Sequence, residues 1–497
     1  MVNRSGVGEA DALRSSSRRH NRRFVLKAMA GLPLAAPALS IAPAASAVLL
    51  GTEWARAQTA EELIQPAEIR SDNGVLRATL TATADRVKLG DFAFPGLVYN
   101  GAYLPPLLRV RVGDTMAITF RNGLPDDPSN LHYHGMAVSP LGNSDNVFIH
   151  VHPGQEFDYN IHIPVRDRQG PGLFWYHPHA HGFVAKQILG GMSGGIVVEG
   201  SEQLFPILGG LPERFFFFKH VELGEESEII SVNGQLNPHV RIQPGELQFW
   251  RIANIGATLF IKFRIEGMPL YVLATDGHPL SRPRKLTEFF LGPGERIDVI
   301  AIGPQSGEYA MTTIPFQNSA GRKPSPPQRI AGVISAGAPT ATADIEAAVL
   351  RHDVQGRRWF DEVRSTPVAR GRTLVYSRSP DRQHFMINGR MMDENRVDQT
   401  VKLGDTEEWT IINNDQQYHS FHIHQTAFMV TELNGIRQNE DSLRDTFSVP
   451  PATDAGPGML KVVIPFTDPV IVGRFVYHCH AVDHEDKGMM GIIEVVA

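Results

Sequence analysis

The 497-residue chain has a single cysteine, Cys479, so no disulfide can form within it. It also has no excess of basic residues, since 47 Lys and Arg stand against 53 Asp and Glu and the formal charge is −6. Proteins that bind nucleic acid usually present a basic surface, so nucleic acid is not an expected partner. With a disulfide excluded, three roles remain for the thiol: a buried core residue, a nucleophile or a metal ligand.

Helical periodicity is scarce as well, and its best example covers residues 341–365. Glycine and proline are plentiful, at 46 and 35 residues, which is typical of chains with many short strands and turns. The chain is 42% hydrophobic and can therefore bury sizeable cores. Together these observations predict an all-β protein.

The amino-terminal segment has the features of an export signal. A basic stretch with Arg22 and Arg23 precedes an Ala-rich apolar run, and Ala-x-Ala cleavage positions end at Ala47 and Ala57. The paired arginines followed by Phe-Val-Leu-Lys resemble a twin-arginine signal, although a basic tail is the alternative. Prolines interrupt the apolar run, so we expect no stable membrane span. We predict a leader over 1–57, export by the twin-arginine machinery, and a periplasmic or secreted protein.

Three segments of the chain repeat one pattern. Each has Asn-Gly, then a Gly followed by Asp or Glu 12 to 16 residues after the asparagine, then an alternating apolar run. Asn-Gly and Gly-Asp favour turns, and the alternation favours half-buried strands. A repeat of more than 100 residues is too long for a solenoid and indicates three copies of one β-sandwich domain. We place them at 58–200, 201–340 and 371–497, with a connector over 341–370.

The histidines concentrate in four short clusters, each of which contains His-x-His. Residues two apart on a strand share one face, so each pair points the same way. Two clusters belong to the first predicted domain and two to the third. Eight clustered imidazoles indicate a metal, and imidazole suits Cu, Zn, Fe and Ni. The first and third domains are therefore predicted to pack face to face. The paired residues are His132, His134, His177, His179, His422, His424, His478 and His480.

Cys479 lies between two of these histidines, so on a strand its side chain faces the opposite way. His419, His484 and Met489 are available around it. Two imidazoles, a thiolate and a thioether are the ligands of a blue-copper electron-transfer centre. A buried spectator is the usual role of a lone cysteine, and the flanking ligands argue against that role here.

Two other histidine features stand apart from this set. His150 and His152 have the His-x-His spacing without a cysteine or a partner cluster, so we expect surface histidines there. His181 is the third histidine of its cluster, and we expect it to support the ligands rather than to bind metal.

The motifs HYHG, WYHPHAHG, HSFHIHQ and HCHAVDHEDKGMM together resemble those of the multicopper oxidases, specifically the three-domain bacterial laccase-like branch. The resemblance covers the chain from about residue 65 to its end. It implies three cupredoxin-like Greek-key β-sandwich domains and four copper ions per chain. Two departures are visible: Gln425 stands where many laccases have glycine, and a Met-rich insertion like that of the cuprous oxidases is missing.

The resemblance also implies a role for each ligand. Met489 would be an axial ligand that gives a lower potential than Leu or Phe in that place. Glu485 resembles the family's proton-relay carboxylate and Asp145 is its candidate partner, while a solvated or turn-forming carboxylate is the alternative for each. The implied ligands are His419, Cys479, His484 and Met489 for type 1 copper, His132 and His422 for type 2, and His134, His177, His179, His424, His478 and His480 for type 3.

By the same resemblance, electrons from a small-molecule or metal-ion donor enter singly and reduce dioxygen to water. Phenols, aromatic amines and similar donors are the leading hypothesis, and oxidation of Cu(I), Mn(II) or Fe(II) is the second. A copper-free structural or division protein is the third, and the complete ligand set argues against it. The third repeat argues against a two-domain copper nitrite reductase.

Overall fold

The computed structural model describes most of the chain beyond the predicted leader, and 1–57 lies outside the described residues. Strands dominate, which confirms the all-β prediction. Among the described helices, none combines the length and the apolar character needed to cross a membrane. The described ranges are 61–165, 170–222, 228–319, 323–340, 344–354 and 358–497.

The first sandwich is built from β1 to β9. Its sheets have the strand orders β1-β4-β9-β8-β6 and β3-β2-β5-β7, and both contribute apolar side chains, among them Leu80 and Ile196, to one core. Helix α1 (Val184–Gly190) follows β8. The strands are β1 (Glu68–Arg70), β2 (Val75–Leu89), β3 (Phe92–Tyr99), β4 (Leu107–Val110), β5 (Thr115–Gly123), β6 (His132–His134), β7 (Glu156–His162), β8 (Gly172–His177) and β9 (Gly194–Val198).

The middle sandwich is built from β10 to β20. Its sheets have the orders β11-β10-β13-β18-β15-β16 and β12-β20-β19-β14-β17, and Trp250 and Val333 meet in the core between them. Helix α2 (Ser201–Leu204) and a 3-10 turn (Pro206–Leu208) precede it. The strands are β10 (Glu213–Glu222), β11 (Glu228–Val232), β12 (His239–Ile242), β13 (Leu247–Asn254), β14 (Ile261–Ile265), β15 (Leu270–Thr275), β16 (His278–Leu286), β17 (Phe289–Leu291), β18 (Arg296–Ile302), β19 (Gly307–Thr313) and β20 (Arg329–Ser335).

The third sandwich is built from β21 to β31. Its sheets have the orders β22-β21-β24-β29-β26-β27 and β23-β31-β30-β25-β28. The helices α3 (Ile345–Leu350) and α4 (Arg358–Ser365) come before it, a 3-10 turn (Pro469–Ile471) precedes β30, and α5 (Val482–Asp486) follows β30. The strands are β21 (Arg370–Arg378), β22 (Phe385–Ile387), β23 (Gln399–Lys402), β24 (Thr406–Asn413), β25 (His419–Ile423), β26 (Met429–Leu433), β27 (Ile436–Arg437), β28 (Thr446–Val449), β29 (Gly458–Pro465), β30 (Gly473–Cys479) and β31 (Met490–Val496).

The Asn-Gly repeat has the same conformation in all three sandwiches. Asn100, Asn233 and Asn388 have φ of 52°, 52° and 53°, and the glycine after each also has positive φ. Each asparagine Oδ1 accepts a backbone N–H from the neighbouring strand, at 2.7 to 2.8 Å. Positive φ at two successive turn residues is why Asn-Gly is favoured there. The repeat thus reflects one fold used three times, whereas the numbered domain boundaries stay predictions.

Residues 61–65 extend the chain back onto the middle sandwich. Leu63 lies in the core of that sandwich, and its N–H donates to the carbonyl of His239 at 2.7 Å. Gln65 Oε1 accepts the N–H of Phe215 at 2.7 Å. Residues 61–65 therefore pack with the middle sandwich rather than with the first.

All three sandwiches meet at one apolar cluster. It combines Trp175 from the first, Phe217 and Ile255 from the middle, and Val482 from the third. The N–H of Val482 donates to the carbonyl of Ala257 at 3.0 Å. This junction places the ends of β8 and β30 side by side, which is where the histidine motifs lie.

Candidate metal centre

Strand pairing brings the His-x-His motifs into register. On β6 and β8, His132 is the cross-strand partner of His177, and on β25 and β30, His422 is the partner of His478. Cross-strand partners share a face, so each strand pair presents its imidazoles as one surface. The two surfaces meet across the first and third sandwiches, with His134 stacked on His422 at a ring-centroid distance of 3.9 Å. The predicted face-to-face packing is present.

The eight paired histidines form one buried cluster with three-histidine groups inside it. Near one end, Nε2 of His478 lies 3.2 Å from Nε2 of both His179 and His424. Near the other, Nε2 of His480 lies 3.1 Å from Nδ1 of His134. The groups whose ligand atoms converge are His179, His424 and His478; His134, His177 and His480; and His132, His134 and His422.

Cys479 lies on the opposite face of β30, paired with Phe421, inside the core of the third sandwich. Its Sγ is 3.4 Å from Nδ1 of His419 and 3.5 Å from Nδ1 of His484. Met489 is fully buried in the same core, and its carbonyl accepts the N–H of Cys479 at 3.1 Å. Period-two alternation on one strand thus sends the thiol to one site and its two neighbours to another.

Burial keeps the imidazoles neutral. Loss of solvent lowers the pKa of His179 and of His478 to about 4 and that of His484 to about 3. Burial also raises the pKa of the Cys479 thiol to about 12. A thiol with so high a pKa is a poor nucleophile, which argues against covalent catalysis by the cysteine. Neutral imidazoles with free lone pairs are the form that binds metal.

Unpartnered ring nitrogens test whether these residues fit a metal. Nε2 of His132, His177 and His422 is buried and has no hydrogen-bond partner. A buried polar atom without a partner is costly unless something else satisfies it. Each of these nitrogens belongs to one of the converging groups. Imidazole and thiolate donors around Cys479 match a blue-copper site, and the all-imidazole groups also suit copper. The residues present therefore fit copper.

Carboxylates and carbonyls hold the other ring nitrogens. Nδ1 of His132 lies 3.0 and 3.1 Å from the two oxygens of Asp145. Nε2 of His134 lies 3.1 Å from Oδ1 of Asp445, and Nδ1 of His422 donates to the Asp445 carbonyl at 2.8 Å. Such partners fix the tautomer and orientation of a metal-binding histidine.

Glu485 and Asp145, the two predicted relay carboxylates, are both buried against ligand histidines. Oε2 of Glu485 is 3.0 Å from Nδ1 of His478, yet neither carboxylate oxygen has a hydrogen-bond partner. The turn of α5 lets Glu485 face the histidine cluster while its neighbour His484 faces Cys479. Burial raises the pKa of Glu485 to about 7 and that of Asp145 to about 7.

The structure places the remaining predicted residues away from the converging groups. His150 is partly exposed, with Nε2 at 3.4 Å from Glu394, and His152 is exposed. His181 is half-buried, and burial lowers its pKa. Within the described ranges, none of these three belongs to a group of converging metal ligands.

Three residues that contact the proposed ligands were not predicted from the sequence. Asp445 and Thr446 hold histidines of the cluster, and Nε2 of Gln417 lies 3.0 Å from Nε2 of His484. Gln425 was noticed only as a departure from the family, but its Nε2 donates to Oδ2 of Asp145 at 2.8 Å. The aspartate and the threonine have no metal-ligand spacing, so only the folded chain shows their position.

Comparison with known proteins finds three matching domain models, each described as multicopper oxidase. They match residues 82–203, 175–333 and 366–497. The chain is 26% identical over 468 residues to the multicopper oxidase mco of Staphylococcus haemolyticus, covering 88% of this chain and 93% of that protein.

Two solved structures share the fold, which identifies the sandwiches as cupredoxin-like. One is a multicopper oxidase from Campylobacter jejuni described as a metallo-oxidase, with a TM-score of 0.74, 24% identity, and coverage of 88% of this chain and 96% of that one. The other is a laccase-like CueO from Ochrobactrum sp. with oxidase activity towards lignin model compounds and lignosulfonate. Its TM-score is 0.70 at 22% identity, covering 87% of this chain and 100% of that one.

Proposed function

The chain belongs to the multicopper oxidase family, and on that premise we propose that it is a laccase-like enzyme for phenols, aromatic amines and similar donors. As a family member it is a copper-dependent oxidase that reduces dioxygen. The observation that carries the copper-oxidase part of the proposal is the pairing of a Cys479-centred site with an eight-histidine cluster through adjacent residues of the chain.

The assignment of ligands to copper types follows the resemblance of the motifs to the family, and the converging groups support it by bringing Cys479 and the assigned histidines together. Copper held by the Cys479-centred site would supply one-electron oxidation of the donor, and copper held by the eight-histidine cluster would supply four-electron reduction of dioxygen. The proposed total is four ions per chain. The assigned ligands are His419, Cys479, His484 and Met489 for type 1, His132 and His422 for type 2, and His134, His177, His179, His424, His478 and His480 for type 3.

Cys479 connects the two sites covalently, because His478 and His480 are its neighbours in the chain. Electrons from the donor side then have a path of backbone bonds to the cluster. Glu485, beside His478, and Asp145, beside His132, are the proposed carriers of the protons that water formation consumes. A pKa of about 7 for both carboxyl groups suits proton transfer near neutral pH.

The surroundings of His484 support an aromatic donor. Gln417 contacts this histidine, and the next residue, Tyr418, belongs to a group of four rings with centroid distances of 4.9 to 6.1 Å. Three of the four rings are only half-buried. Offset and edge-on ring contacts favour a planar aromatic molecule. The other rings are Phe260, Phe290 and Phe316.

Oxidation of a metal ion is the second candidate. Oδ1 of Asp483 lies 3.5 Å from Nε2 of His484, and Lys487 Nζ donates to its Oδ2 at 3.0 Å, so a carboxylate paired with a lysine lies beside the outward nitrogen of that ring. The Campylobacter jejuni protein of the same fold is described as a metallo-oxidase. Cu(I), Mn(II) and Fe(II) are the donors to compare with a phenol.

Location and domain division remain part of the proposal. The basic and apolar segment before residue 57 supports export by the twin-arginine machinery to the periplasm or beyond. The three sandwiches support domains at 58–200, 201–340 and 371–497 with a connector over 341–370, except that residues 61–65 pack with the middle sandwich.

The test is turnover of the copper-loaded protein under oxygen with a phenol, Cu(I) and Mn(II) side by side. We expect the phenol to be fastest, and faster turnover of either metal ion would reverse the substrate assignment. The loaded protein is expected to be blue, and Cys479→Ser to lose the colour while keeping the electron-spin signal of type 2 copper. A colourless, copper-poor wild type after loading would contradict the assignment of the sites.

A further inference from the structure

The middle sandwich supplies no histidine to the cluster, yet one of its side chains reaches it. Arg296, at the start of β18, is fully buried. Its Nη1 and Nη2 donate to the two carboxylate oxygens of Asp445, in the third sandwich, at 2.7 and 2.8 Å. Its Nε donates to the carbonyl of Leu173, in the first sandwich, at 3.1 Å. A single guanidinium therefore joins all three sandwiches.

Asp445 in turn holds one histidine from each side of the cluster. Nε2 of His134 donates to its carboxylate, and Nδ1 of His422 donates to its backbone carbonyl. Each bond places the proton on the bonded nitrogen and leaves the other nitrogen as a lone-pair donor. The free Nδ1 of His134 faces His480 at 3.1 Å, and the free Nε2 of His422 has no hydrogen-bond partner.

Burial makes the pairing of Arg296 and Asp445 strong. Burial alone would lower the pKa of Arg296, but Asp445 and Asp276 outweigh it and raise that pKa above its ordinary value. The guanidinium therefore stays charged. A bidentate Arg–carboxylate pair also fixes the plane of the carboxylate, which a lysine cannot do. Without it, the Asp445 carboxylate would be buried without its countercharge and held only through Oδ1, by His134 and Thr446.

Two glycines allow this pair to approach the cluster. A Cβ at Gly135, the glycine of HYHG, would collide with the Asp445 carboxylate and lie 2.6 Å from Nη2 of Arg296. A Cβ at Gly294 would lie 3.1 Å from Cε1 of His134. The glycine of the first histidine motif is thus explained by its φ of 81° and by close contacts with the third and the middle sandwich.

From these contacts we propose that Arg296 is a positioning residue for the copper cluster. It holds the Asp445 carboxylate, which fixes His134 directly. The same carboxylate reaches His422 through the Thr446 hydroxyl, which lies 2.8 Å from Asp445 Oδ1 and 3.0 Å from Nδ1 of His422. The proposal rests on the proposed assignment of these histidines as copper ligands. It gives the middle sandwich, which has no ligand of its own, a defined part in the site.

The test compares Arg296→Met and Arg296→Lys with the matched control Arg251→Met. Arg251 is a second buried guanidinium of the same sheet, on β13, and its polar partners are Glu213, Asp298 and Ser201. Each protein is loaded with copper. Copper retention is measured by chelator competition, the type 2 signal by electron-spin resonance and the type 1 site by its blue colour.

We expect Arg296→Met to keep the blue colour, to hold cluster copper about ten- to hundred-fold more weakly, and to show an altered type 2 signal. Arg296→Lys should restore copper retention in part but not the wild-type type 2 signal. The lysine ammonium keeps the positive charge but cannot reproduce the planar, two-bond pairing of the guanidinium with Asp445. Arg251→Met should match the wild type in both measurements.

Wild-type retention and a wild-type signal in Arg296→Met would overturn the proposal, as would an equal loss in Arg251→Met. If Arg296→Met does not fold, Arg296→Lys decides alone, and a wild-type signal there would also overturn it. A wild type that binds no copper would instead refute the assignment of the histidines, so the two failures are distinguishable.

Discussion

The Cys479-centred site and the eight-histidine cluster are built from the same strand by different means. The first takes its ligands from residues 419–489 of one sandwich, within one hydrophobic core. The second takes histidines from two sandwiches, and the carboxylate of Asp445 that holds one of them is fixed by Arg296 of the remaining sandwich. One site therefore depends on local folding, and the other depends on assembly of the whole molecule.

Because of this difference, a substitution should affect either electron entry or dioxygen reduction, depending on where it lies. Changes in the core of the third sandwich should alter electron entry and leave the cluster intact. Changes at the contacts between sandwiches should slow dioxygen reduction and leave the blue colour of the Cys479 site intact. Three predictions separate the two sites on this basis, and a fourth concerns stability beside the cluster.

The largest effect is expected from Glu485→Gln, which removes a titratable group beside His478 and keeps its shape. We expect kcat to fall by about 10²- to 10⁴-fold, because proton transfer to the cluster loses its carrier. Blue colour, and its bleaching by donor without oxygen, should be unchanged. Steady-state oxygen uptake and anaerobic absorbance measure the two effects.

The control for that prediction is Asp486→Asn, at the adjacent buried carboxylate. Asp486 accepts the N–H groups of Gly182, Val184 and Ala185 at the start of α1 and contacts no histidine of the cluster through these bonds. Its kcat should stay near that of the wild type. Equal losses in both variants would mean that Glu485 acts through stability.

The next prediction counts protons released when Cu(I) binds to the copper-free protein at pH 8. The Cys479 thiol, with its pKa raised to about 12 by burial, is protonated there and must release one proton per chain. The cluster histidines have lowered pKa values, so they are already neutral and should release none. Calorimetry in buffers of different ionisation enthalpy gives the count. Cys479→Ser should release none, and release of several protons would show that the buried imidazoles are charged.

A smaller effect is expected from Met489→Leu, which removes the proposed axial thioether. The reduction potential of the blue site should rise, because the axial ligand tunes it, while the type 2 electron-spin signal stays unchanged. Redox titration of the blue band measures this shift. Met490→Leu is the matched control, since Met490 packs with Val147 and Val476 at the seam between sandwiches. An unchanged potential in Met489→Leu would exclude the axial role.

The smallest effect is expected at Gln425, where two terms oppose each other. Its φ of 61° is unfavourable for a side chain, by about 1–2 kcal/mol, whereas its bond to Asp145 contributes roughly 1.5–3 kcal/mol. Gln425→Gly removes both the backbone strain and the bond to Asp145. Because the bond is the larger of the two, the free energy of unfolding should fall by about 1 kcal/mol. Gln425→Ala loses only the bond and should be less stable than the glycine variant. Denaturant unfolding of the copper-free proteins measures the order, and the reverse order would show that the backbone there is unstrained.

Much of this architecture follows from periodicity. Period-two alternation predicted that Cys479 and its neighbouring histidines face opposite ways, and β30 has that geometry. The Asn-Gly spacing predicted a threefold repeat, and the three turns have the same conformation. Both patterns are local, so a sequence displays them without any knowledge of distant contacts.

Contacts between distant segments were not predictable in this way. Arg296 and Asp445 are 149 positions apart, and His134 and Asp445 are 311 apart. An isolated arginine or aspartate on a strand has no spacing that marks it, and its role depends on how sandwiches dock. The division of the eight histidines into groups had the same limit, because periodicity gives the face of a strand but not the partner across the seam.

The early segment 61–65 has a consequence for maturation of the protein. Cleavage after Ala47 or Ala57 would leave Leu63 in the core of the middle sandwich and Gln65 bonded to Phe215. A cut only a few residues later would remove a piece of that core. On the proposed twin-arginine route, which moves folded proteins, this segment would be docked before the signal peptidase acts. In the folded protein, the packing of Leu63 would then set the limit, because the leader could be removed only before that residue.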